Sequence, residues 1–336
     1  MDLILEQEIE IYIERLGING EGVGRFEGFT VFVDGGLPRE TVLAKVYEKR
    51  KNFARASVVE WLVKSPYRIS PACSLFGLCG GCQLMHLAYE EQLKVKTQRV
   101  KDALERIGKI EKVEVLPCKP SILPLGYRNK IQMPVKMGVL GLYARNTHDQ
   151  VEVQSCKIHC ELGESVLQEI RKIVKDHPID GLSHVLIRTA IHTQQVLVIL
   201  VAPEEERASL EILAKILMER MSAIRGVVHN IHRPQDNVIL GERFQTLAGE
   251  GRIEEILCGL SFTISPSSFF QVNPLQAEAL YDQVRDFAAV EGEEVVLDAY
   301  CGVGTLALLL ARSVQKVIGI ECVSHAIEDA KANMER

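Results

Sequence analysis

Three cysteines crowd into ten positions of the sequence, as Cys73, Cys79 and Cys82, within a segment rich in glycine. Thiolates prefer soft metal centres, so a metal site is the first hypothesis. A distant thiol, Cys156 or Cys160, would supply a fourth ligand. Three close cysteines plus one remote cysteine is common ligation for a 4Fe–4S cluster, which this spacing favours.

Other interpretations of the same segment stay open. His86 and His159 are near enough in sequence to support zinc as a minority alternative. A redox disulfide between Cys79 and Cys82 is a third alternative, and buried thiols without a ligand are a fourth. The nine cysteines as a whole do not indicate a disulfide framework, because the N-terminus lacks the features of an export signal.

A second segment that could take part in chemistry is Asp298-Ala-Tyr-Cys-Gly-Val-Gly-Thr305. It follows an apolar strand pattern and precedes an apolar helix pattern. Gly302 and Gly304 allow a ligand to approach the backbone, and the helix N-terminus offers N–H groups. Glu321 follows the next predicted strand, where a carboxylate can accept ribose hydroxyls. A dinucleotide remains possible, but Asp298 before the glycines suits a cationic, phosphate-free ligand such as S-adenosylmethionine. The alternative is an ordinary strand–helix turn that has no function.

The elements around these segments predict three regions. Residues 1–65 alternate between apolar and polar positions with glycine turns, which predicts a small barrel of four or five strands. Residues 66–260 predict one α+β domain, and residues 261–336 predict a β-α-β-α start of a doubly wound sheet. Within them we predict helices at 89–107, 209–221, 274–289, 305–312 and 323–336, strands at 126–153, 294–297 and 316–321, and a hairpin at 184–203.

Composition restricts the class of protein. The net charge of -6 argues against nucleic-acid binding driven by total charge, although it leaves room for a local basic face. Residues 45–55 are such a stretch, with five basic side chains against one acidic. No apolar run is long enough to span a membrane, so we expect a cytoplasmic protein with no membrane partner, and a monomer.

Several segments together resemble a known family, the RNA uracil-5-methyltransferases that carry an iron–sulfur cluster, especially the 23S ribosomal RNA enzymes. GEGVGRFEGFTVFVDGGLPRE resembles their TRAM domain, and CSLFGLCGGCQLMHLAYEEQLKVK resembles their cluster loop. GYRNKIQMPV resembles an RNA-contacting segment, and SPSSFFQVN with LDAYCGVGT resembles the cofactor region. The resemblance covers essentially the whole chain.

The resemblance implies an α+β and α/β multidomain fold. It comprises a small N-terminal β-barrel, OB-like and of the TRAM type, an α+β central domain with the iron–sulfur site, and an incomplete C-terminal Rossmann-like methyltransferase domain. By the resemblance, the 4Fe–4S ligands are Cys73, Cys79, Cys82 and Cys156. The S-adenosyl-L-methionine contacts would be Gln271, Tyr300, Thr305 and Glu321, beside the loop residues Asp298, Gly302 and Gly304. The RNA-contact candidates are Lys49, Arg50, Lys51, Arg128 and Lys130, with Phe53 available for stacking.

The family mechanism is covalent: a cysteine thiolate attacks C6 of a flipped uracil, C5 takes the methyl group, and a base removes the C5 proton. The family's Ser-Cys-Asn-Pro nucleophile segment and its Asp-Pro-Pro-Arg segment do not occur in these 336 residues. Cys301 is more typical of a packing residue than of a substitute nucleophile. We therefore expect no catalytic residue within this polypeptide and no methyl transfer by it alone.

Two classes of function follow. The first is S-adenosylmethionine-dependent methylation of uridine C5 in RNA, with 23S ribosomal RNA as the expected partner because the transfer-RNA relatives generally lack the barrel. The second is a non-catalytic RNA-binding iron–sulfur protein, or the remnant of a split gene. A reading frame downstream that encodes the two absent segments would favour the first class.

Overall fold

The computed structural model describes residues 3–233 and 238–335. The chain divides into two compact units. The first comprises Met1–Pro120 and Tyr143–Asp149, and the second comprises Ser121–Leu142 and Gln150–Arg336. The three regions at 1–65, 66–260 and 261–336 stay a prediction beside this division.

The first unit begins with a closed five-stranded barrel in the order β1-β2-β3-β5-β4, as the alternating pattern predicts. β3 and β5 are parallel, and the other neighbours are antiparallel. Ile9, Ile11 and Ile13 fill the interior because alternate side chains of a strand face the same side. The strands are β1 Glu8–Leu16, β2 Gly22–Phe26, β3 Phe29–Asp34, β4 Thr41–Lys49 and β5 Phe53–Val63.

A buried ion pair connects the barrel to the segment before the cysteine loop. The Glu40 carboxylate is fully buried and accepts from Arg68 at 2.6 and 2.8 Å and from the Leu37 N–H at 2.8 Å. Burial raises the pKa of Glu40, but these bonds outweigh it, so the net shift is downward. The carboxylate therefore stays charged, and it holds Arg68 in place.

The helix predicted at 89–107 is present as α1 Tyr89–Asp102, continued by a π-helical turn Ala103–Ile107 that ends at Gly108. Neither segment contains a buried residue. Val100 is exposed, and Ile107 has 83% of its surface exposed. The apolar spacing therefore predicts the helix, but it does not show whether another element covers it.

A seven-stranded sheet forms the centre of the second unit, in the order β12-β11-β10-β9-β6-β7-β8. The predicted hairpin at 184–203 is confirmed as antiparallel β9 and β10. β10 and β11 are parallel and are joined through α3 Arg207–Arg220. The strands are β6 Lys130–Lys136, β7 Val139–Tyr143, β8 Gln150–Glu152, β9 His184–Ala190, β10 Gln195–Ala202, β11 Ile224–Ile231 and β12 Arg243–Gly249.

Helix α2 Glu161–Asp176 packs against β9 and was not predicted from the sequence. Val166, Ile170, Ile173 and Val174 recur at helical spacing and are buried, so the helix has one apolar side.

The last part of the chain contains the predicted β-α-β-α order. β15 and β16 pair in parallel, with Asp298 opposite Gly319. A hairpin that the sequence analysis did not anticipate precedes them and contacts α6. The elements are β13 Ile253–Leu257, β14 Leu260–Ile264, α4 Pro274–Ala288, β15 Val295–Asp298, α5 Thr305–Ala311, β16 Lys316–Gly319 and α6 Ser324–Met334. The predicted last helix extends to Arg336, which lies outside the described residues.

One face of the β15–β16 pair is uncovered. Val295 and Leu297 alternate along β15, and 59% and 60% of their surfaces are exposed. Ile318 pairs with Leu297 and is exposed too, as is Ile320 just after β16. Parallel sheets are normally covered on both faces. These four side chains, which we call the uncovered face, therefore form an unusual apolar surface.

Within residues 3–233 and 238–335, none of the helices combines the length and the apolar character needed to cross a membrane.

Candidate functional site

The turn between β15 and α5 is held by backbone hydrogen bonds to the end of β16. The Ile320 N–H donates to the Asp298 carbonyl at 2.8 Å, and the Cys301 N–H donates to the Ile320 carbonyl at 3.0 Å. Gly302 and Gly304 have φ of +54° and +85°, a left-handed conformation that side chains other than glycine rarely adopt. The sequence places glycine where this turn requires it.

The Glu321 carboxylate faces this turn. Its Oε2 accepts the Gly302 N–H at 3.1 Å, and its Oε1 accepts the N–H groups of Cys322 at 2.7 Å and Val323 at 2.9 Å. The bonds from Val323 and Cys322 lower the pKa of Glu321. Since Oε2 accepts one N–H group, it retains a lone pair for a hydroxyl donor.

The turn leaves room for a ligand. A side-chain carbon at Gly302 would meet no atom within 4 Å. Tyr300 has 91% of its surface exposed, so its ring is available for stacking. Asp298 Oδ1 accepts the Tyr300 N–H at 3.3 Å. The turn thus presents two carboxylates and an aromatic ring around open space, which suits a nucleoside with hydroxyl groups and a cationic substituent.

Thr305 begins α5, and its hydroxyl lies 3.0 Å from the hydroxyl of Tyr281. Tyr281 lies on α4 and is buried. This positioning residue was missed because 24 residues separate it from Thr305 in the sequence.

Asn333 also supports the turn and was missed. Its amide Nδ2 donates to the Val303 carbonyl at 3.1 Å, and its Oδ1 accepts the Thr263 N–H at 2.9 Å. The side chain is buried in α6, so it ties that helix to the turn and to β14.

The residues beside Gln271 contact the segment with Asn129 and the buried cluster that includes Val303. The Asn129 side chain donates to the Gln271 carbonyl at 3.1 Å, and the Asn129 N–H donates to the Val272 carbonyl at 2.9 Å. Phe270 belongs to the buried cluster that includes Val303. The segment containing Asn129 therefore lies directly beside the segment containing Gln271.

Lys130 lies among cations in that neighbourhood. It pairs with Arg188 across β6 and β9, and burial, Arg188 and Arg128 lower its pKa to about 8. Arg188 itself is buried and donates to the Ser268 carbonyl at 2.5 Å. Positive charge is thus concentrated beside the Gln271 segment, where an anion would be stabilised.

The cysteine trio lies in the first unit, and Cys73, Cys79 and Cys82 are half-buried. The Gly81 N–H donates to Cys79 Sγ at 3.4 Å, and the Gly80 N–H donates to the Tyr143 carbonyl at 3.0 Å. An N–H bond to a thiolate is the kind of contact that stabilises a cluster ligand.

Cys156 lies in the second unit and is half-buried. Its carbonyl accepts the His159 N–H at 3.1 Å, and the adjoining Ile158 carbonyl accepts the Arg128 N–H at 2.8 Å. In the described part of the chain, no three His, Cys, Asp or Glu side chains are grouped so that they could hold a metal ion. The ligand set stays a prediction.

Cys301 and Cys160 are buried thiols. Burial raises the pKa of Cys301, and Asp298 and Glu321 raise it further. Burial likewise raises the pKa of Cys160. Because the thiolate is the nucleophilic form, neither side chain is activated for attack.

The basic candidates Lys49, Arg50 and Lys51 are exposed where β4 turns into β5. Arg50 Nε donates to Glu48 at 2.6 Å. Phe53 follows, half-buried, with its ring 5.5 Å from that of Phe32. The turn offers charge and an aromatic edge together, which is the combination that single-stranded nucleic acid uses.

Known proteins were compared with this chain. The TRAM domain model matches residues 5–59, which form most of the barrel. An uncharacterized RNA methyltransferase of Clostridium acetobutylicum is 38% identical over 98% of this chain and 75% of its own length. An uncharacterized RNA methyltransferase of Listeria monocytogenes is 39% identical over 98% of this chain and 75% of its own length.

Among solved structures, the Pyrococcus abyssi tRNA (uracil-54, C5)-methyltransferase in complex with S-adenosyl-L-homocysteine matches with a TM-score of 0.73. The match covers 97% of this chain and 76% of that one at 26% identity. With the barrel, the glycine turn and relatives that match over 97–98% of its length, the chain belongs to the RNA methyltransferase family.

Proposed function

We propose that this chain serves S-adenosylmethionine-dependent methylation of C5 of a uridine in RNA. The observation that carries the proposal is the glycine turn, in which Glu321 accepts the Gly302 N–H beside open space. The Pyrococcus abyssi structure supports it, since that enzyme acts on uracil C5 and holds S-adenosyl-L-homocysteine.

The bound cofactor would supply a methyl group carried on a positively charged sulfur. Glu321 would accept hydrogen bonds from the ribose hydroxyls, and Asp298 would offset the positive charge. Tyr300 would stack on the base. Gln271, Thr305, Gly302 and Gly304 complete the proposed cofactor contacts.

Calorimetry with S-adenosylmethionine and with S-adenosylhomocysteine tests the binding half. The chain should bind both, and Glu321→Gln should weaken binding roughly ten- to a hundredfold because a hydrogen-bonded charge is removed. Glu328→Gln, an exposed acid of α6, is the matched control and should leave affinity unchanged. Equal affinity for all three proteins would contradict the assignment of Glu321.

The covalent half of the reaction requires a nucleophile, and Cys301 is not activated to serve. We expect this 336-residue polypeptide to bind the cofactor without transferring methyl groups to RNA. Incubation with radiolabelled S-adenosylmethionine and RNA transcripts measures this. Labelled 5-methyluridine in the RNA would overturn the expectation and would also exclude the alternative of a non-catalytic RNA-binding protein.

For the RNA partner we propose 23S ribosomal RNA, because the chain's segments resemble the 23S ribosomal RNA enzymes in particular. The Pyrococcus abyssi enzyme acts on transfer RNA and matches 97% of this chain, the barrel included, so transfer RNA is the competing choice. Filter binding with fragments of both RNAs at one salt concentration distinguishes them, because affinity for RNA depends on salt. Tighter binding of transfer RNA would contradict the ribosomal assignment.

We also propose a 4Fe–4S cluster on Cys73, Cys79, Cys82 and Cys156. The thiol donors suit iron, and the Gly81 N–H bond to Cys79 Sγ supports a thiolate there. The four ligands of a cluster bind different irons, so they lie farther apart than the ligands of one ion. The absence of a single-ion site in the described residues is compatible with this.

Anaerobic purification with iron and sulfide analysis tests the cluster. We expect a coloured protein, and we expect Cys156→Ser to lose iron while Cys160→Ala retains it. A colourless protein with one bound zinc would refute the cluster, and iron loss in the Cys160 variant alone would refute the choice of the fourth ligand.

A further inference from the structure

A large cleft lies in the first unit between the barrel and α1, with a volume of about 1250 Å³. Barrel residues such as Arg15 and Arg55 line one side, and α1 residues such as Lys94 and Arg99 line the other. Pockets for small molecules usually have volumes of about 300–1,000 Å³. The cleft is therefore larger than one small ligand needs.

The cleft is locally basic although the chain is acidic. Eight basic and four acidic side chains line it, whereas the whole chain has a net charge of -6. The positive charge is concentrated on one surface, which attracts a polyanion. The basic side chains are Arg15, Arg39, Arg55, Lys94, Lys96, Arg99, Arg106 and Arg145.

Several of these cations are already paired, and two are not. Lys94 pairs with Glu91 at 2.5 Å, and Arg145 pairs with Asp34 at 3.3 Å. The exposed side chains of Arg15 and Lys96 form no hydrogen bond or ion pair with the described residues. Arg39 and Arg99 donate to neutral groups, the Tyr67 hydroxyl and the Ile18 carbonyl, and so keep their charge as well. Arg15 and Lys96 are the two that combine an exposed charge with freedom from both kinds of contact.

Two cations lie against one aromatic ring in the cleft. The Tyr67 ring centroid lies 5.3 Å from the Arg39 guanidinium and 5.7 Å from the Lys94 ammonium. Arg39 Nη1 also lies 3.4 Å from the Tyr67 hydroxyl. Aromatic rings flanked by cations are used to stack bases while neighbouring charges contact phosphates.

We propose that this cleft binds a single-stranded segment of the RNA substrate, with Tyr67 stacking on a base and Arg15 and Lys96 contacting phosphates. The proposal rests on the proposed function, and it deepens it by locating part of the RNA. An acidic peptide would satisfy the charges but would supply no base to stack on the Tyr67 ring beside its two cations, so RNA is favoured.

The test uses the full chain and a dye-labelled single-stranded 12-nucleotide RNA in fluorescence anisotropy over a range of salt concentrations. The double variant Arg15→Glu/Lys96→Glu removes two phosphate contacts. It should reduce the slope of log affinity against log salt by about 1.4 or more. Tyr67→Leu should weaken binding about fivefold or more at constant salt, and Tyr67→Phe should bind like the unsubstituted chain.

The matched control is Lys175→Glu/Lys215→Glu, which reverses two exposed lysines of α2 and α3 in the second unit. It should leave the salt slope unchanged. In parallel, RNA that contains 4-thiouridine should form a photochemical cross-link to the peptide with Tyr67 or to α1.

Unchanged slopes in the cleft variant, with normal binding by the parent chain, would overturn the cleft proposal and leave the proposed function intact. Absence of RNA binding by the parent chain would instead overturn the proposed function. Displacement of the RNA by polyglutamate of equal charge would show a general polyanion site and would also overturn the proposal.

Discussion

Lys130 lies beside Arg188 and Arg128, and its pKa is lowered to about 8 mainly by burial. The amine is therefore largely protonated at pH 7 and loses its proton as the pH rises through 8. If Lys130 contacts RNA, affinity should fall between pH 7 and pH 9, because the neutral amine no longer attracts phosphate.

Anisotropy titrations at constant ionic strength measure this dependence. Lys130→Arg keeps the charge over the whole range and should remove the decline, whereas Lys49→Ala should retain it. A profile that is flat in the parent chain would show that Lys130 does not contact RNA.

Asn333 satisfies two buried backbone groups, the Thr263 N–H and the Val303 carbonyl. Replacing it with leucine leaves both groups without partners and should reduce the free energy of unfolding by about 1–3 kcal/mol for each. Because Val303 belongs to the glycine turn, affinity for S-adenosylmethionine should fall as well. Thermal melting and calorimetry measure the two effects.

Asn333→Asp is the informative comparison. It keeps the acceptor for Thr263 and removes the donor to Val303, so it should harm cofactor binding more than it harms stability. An Asn333→Leu variant with parental affinity would show that the turn does not depend on this bridge.

At the level of elements, substitutions at Gly302, in the turn between β15 and α5, can distinguish an effect on backbone conformation from an effect on the space for a ligand. Gly302 has φ of +54° and no neighbour within 4 Å of an added side-chain carbon. Asparagine tolerates this conformation, and valine does not. Gly302→Asn should therefore keep the parental melting temperature, whereas Gly302→Val should lose about 1–2 kcal/mol of stability.

Both Gly302 substitutions place atoms in the proposed cofactor space, so both should weaken S-adenosylmethionine binding. Calorimetry on the Gly302→Asn variant, which should keep its fold, measures the affinity for S-adenosylmethionine that decides between these outcomes. Undiminished affinity in that variant would mean that the cofactor does not approach Gly302.

The elements also show which parts of the fold and of the site the sequence predicts and which it does not. The barrel was predictable because alternation in β1 places every second residue inside, and the glycine turn was predictable because its residues are local. α2 has an equally regular apolar side but was overlooked. Tyr281 and Asn333 could not be found by spacing, because only tertiary folding brings them to Thr305 and Val303.

The exposed side of α1 shows a limit of periodicity. Val100 and Ile107 share a side of the helix at apolar spacing, and both are exposed. Periodicity identifies which residues share a side of a helix, but not whether another element covers that side.

For the whole molecule, the uncovered face of Val295, Leu297, Ile318 and Ile320 groups four exposed apolar side chains on one side of the β15–β16 pair. The chain should bind the dye ANS in its folded state, and Val295→Ser/Leu297→Ser should reduce the fluorescence. The free energy of unfolding should change by less than about 0.5 kcal/mol for each, because the side chains are already exposed. Leu280→Ser, an exposed residue of α4, is the control.

Dye fluorescence and chemical denaturation check this pair of expectations. Sedimentation velocity on the same samples distinguishes the predicted monomer from association through the face. Unaltered fluorescence in the double variant would show that the dye binds elsewhere.

The same four side chains should be recognised by proteins that bind unfolded chains. Chaperones and proteases recognise exposed apolar strands as the mark of a chain that has not finished folding. A correctly folded copy would still display that mark. We therefore expect a purified chaperone to retain the 336-residue polypeptide more strongly than its Val295→Ser/Leu297→Ser variant.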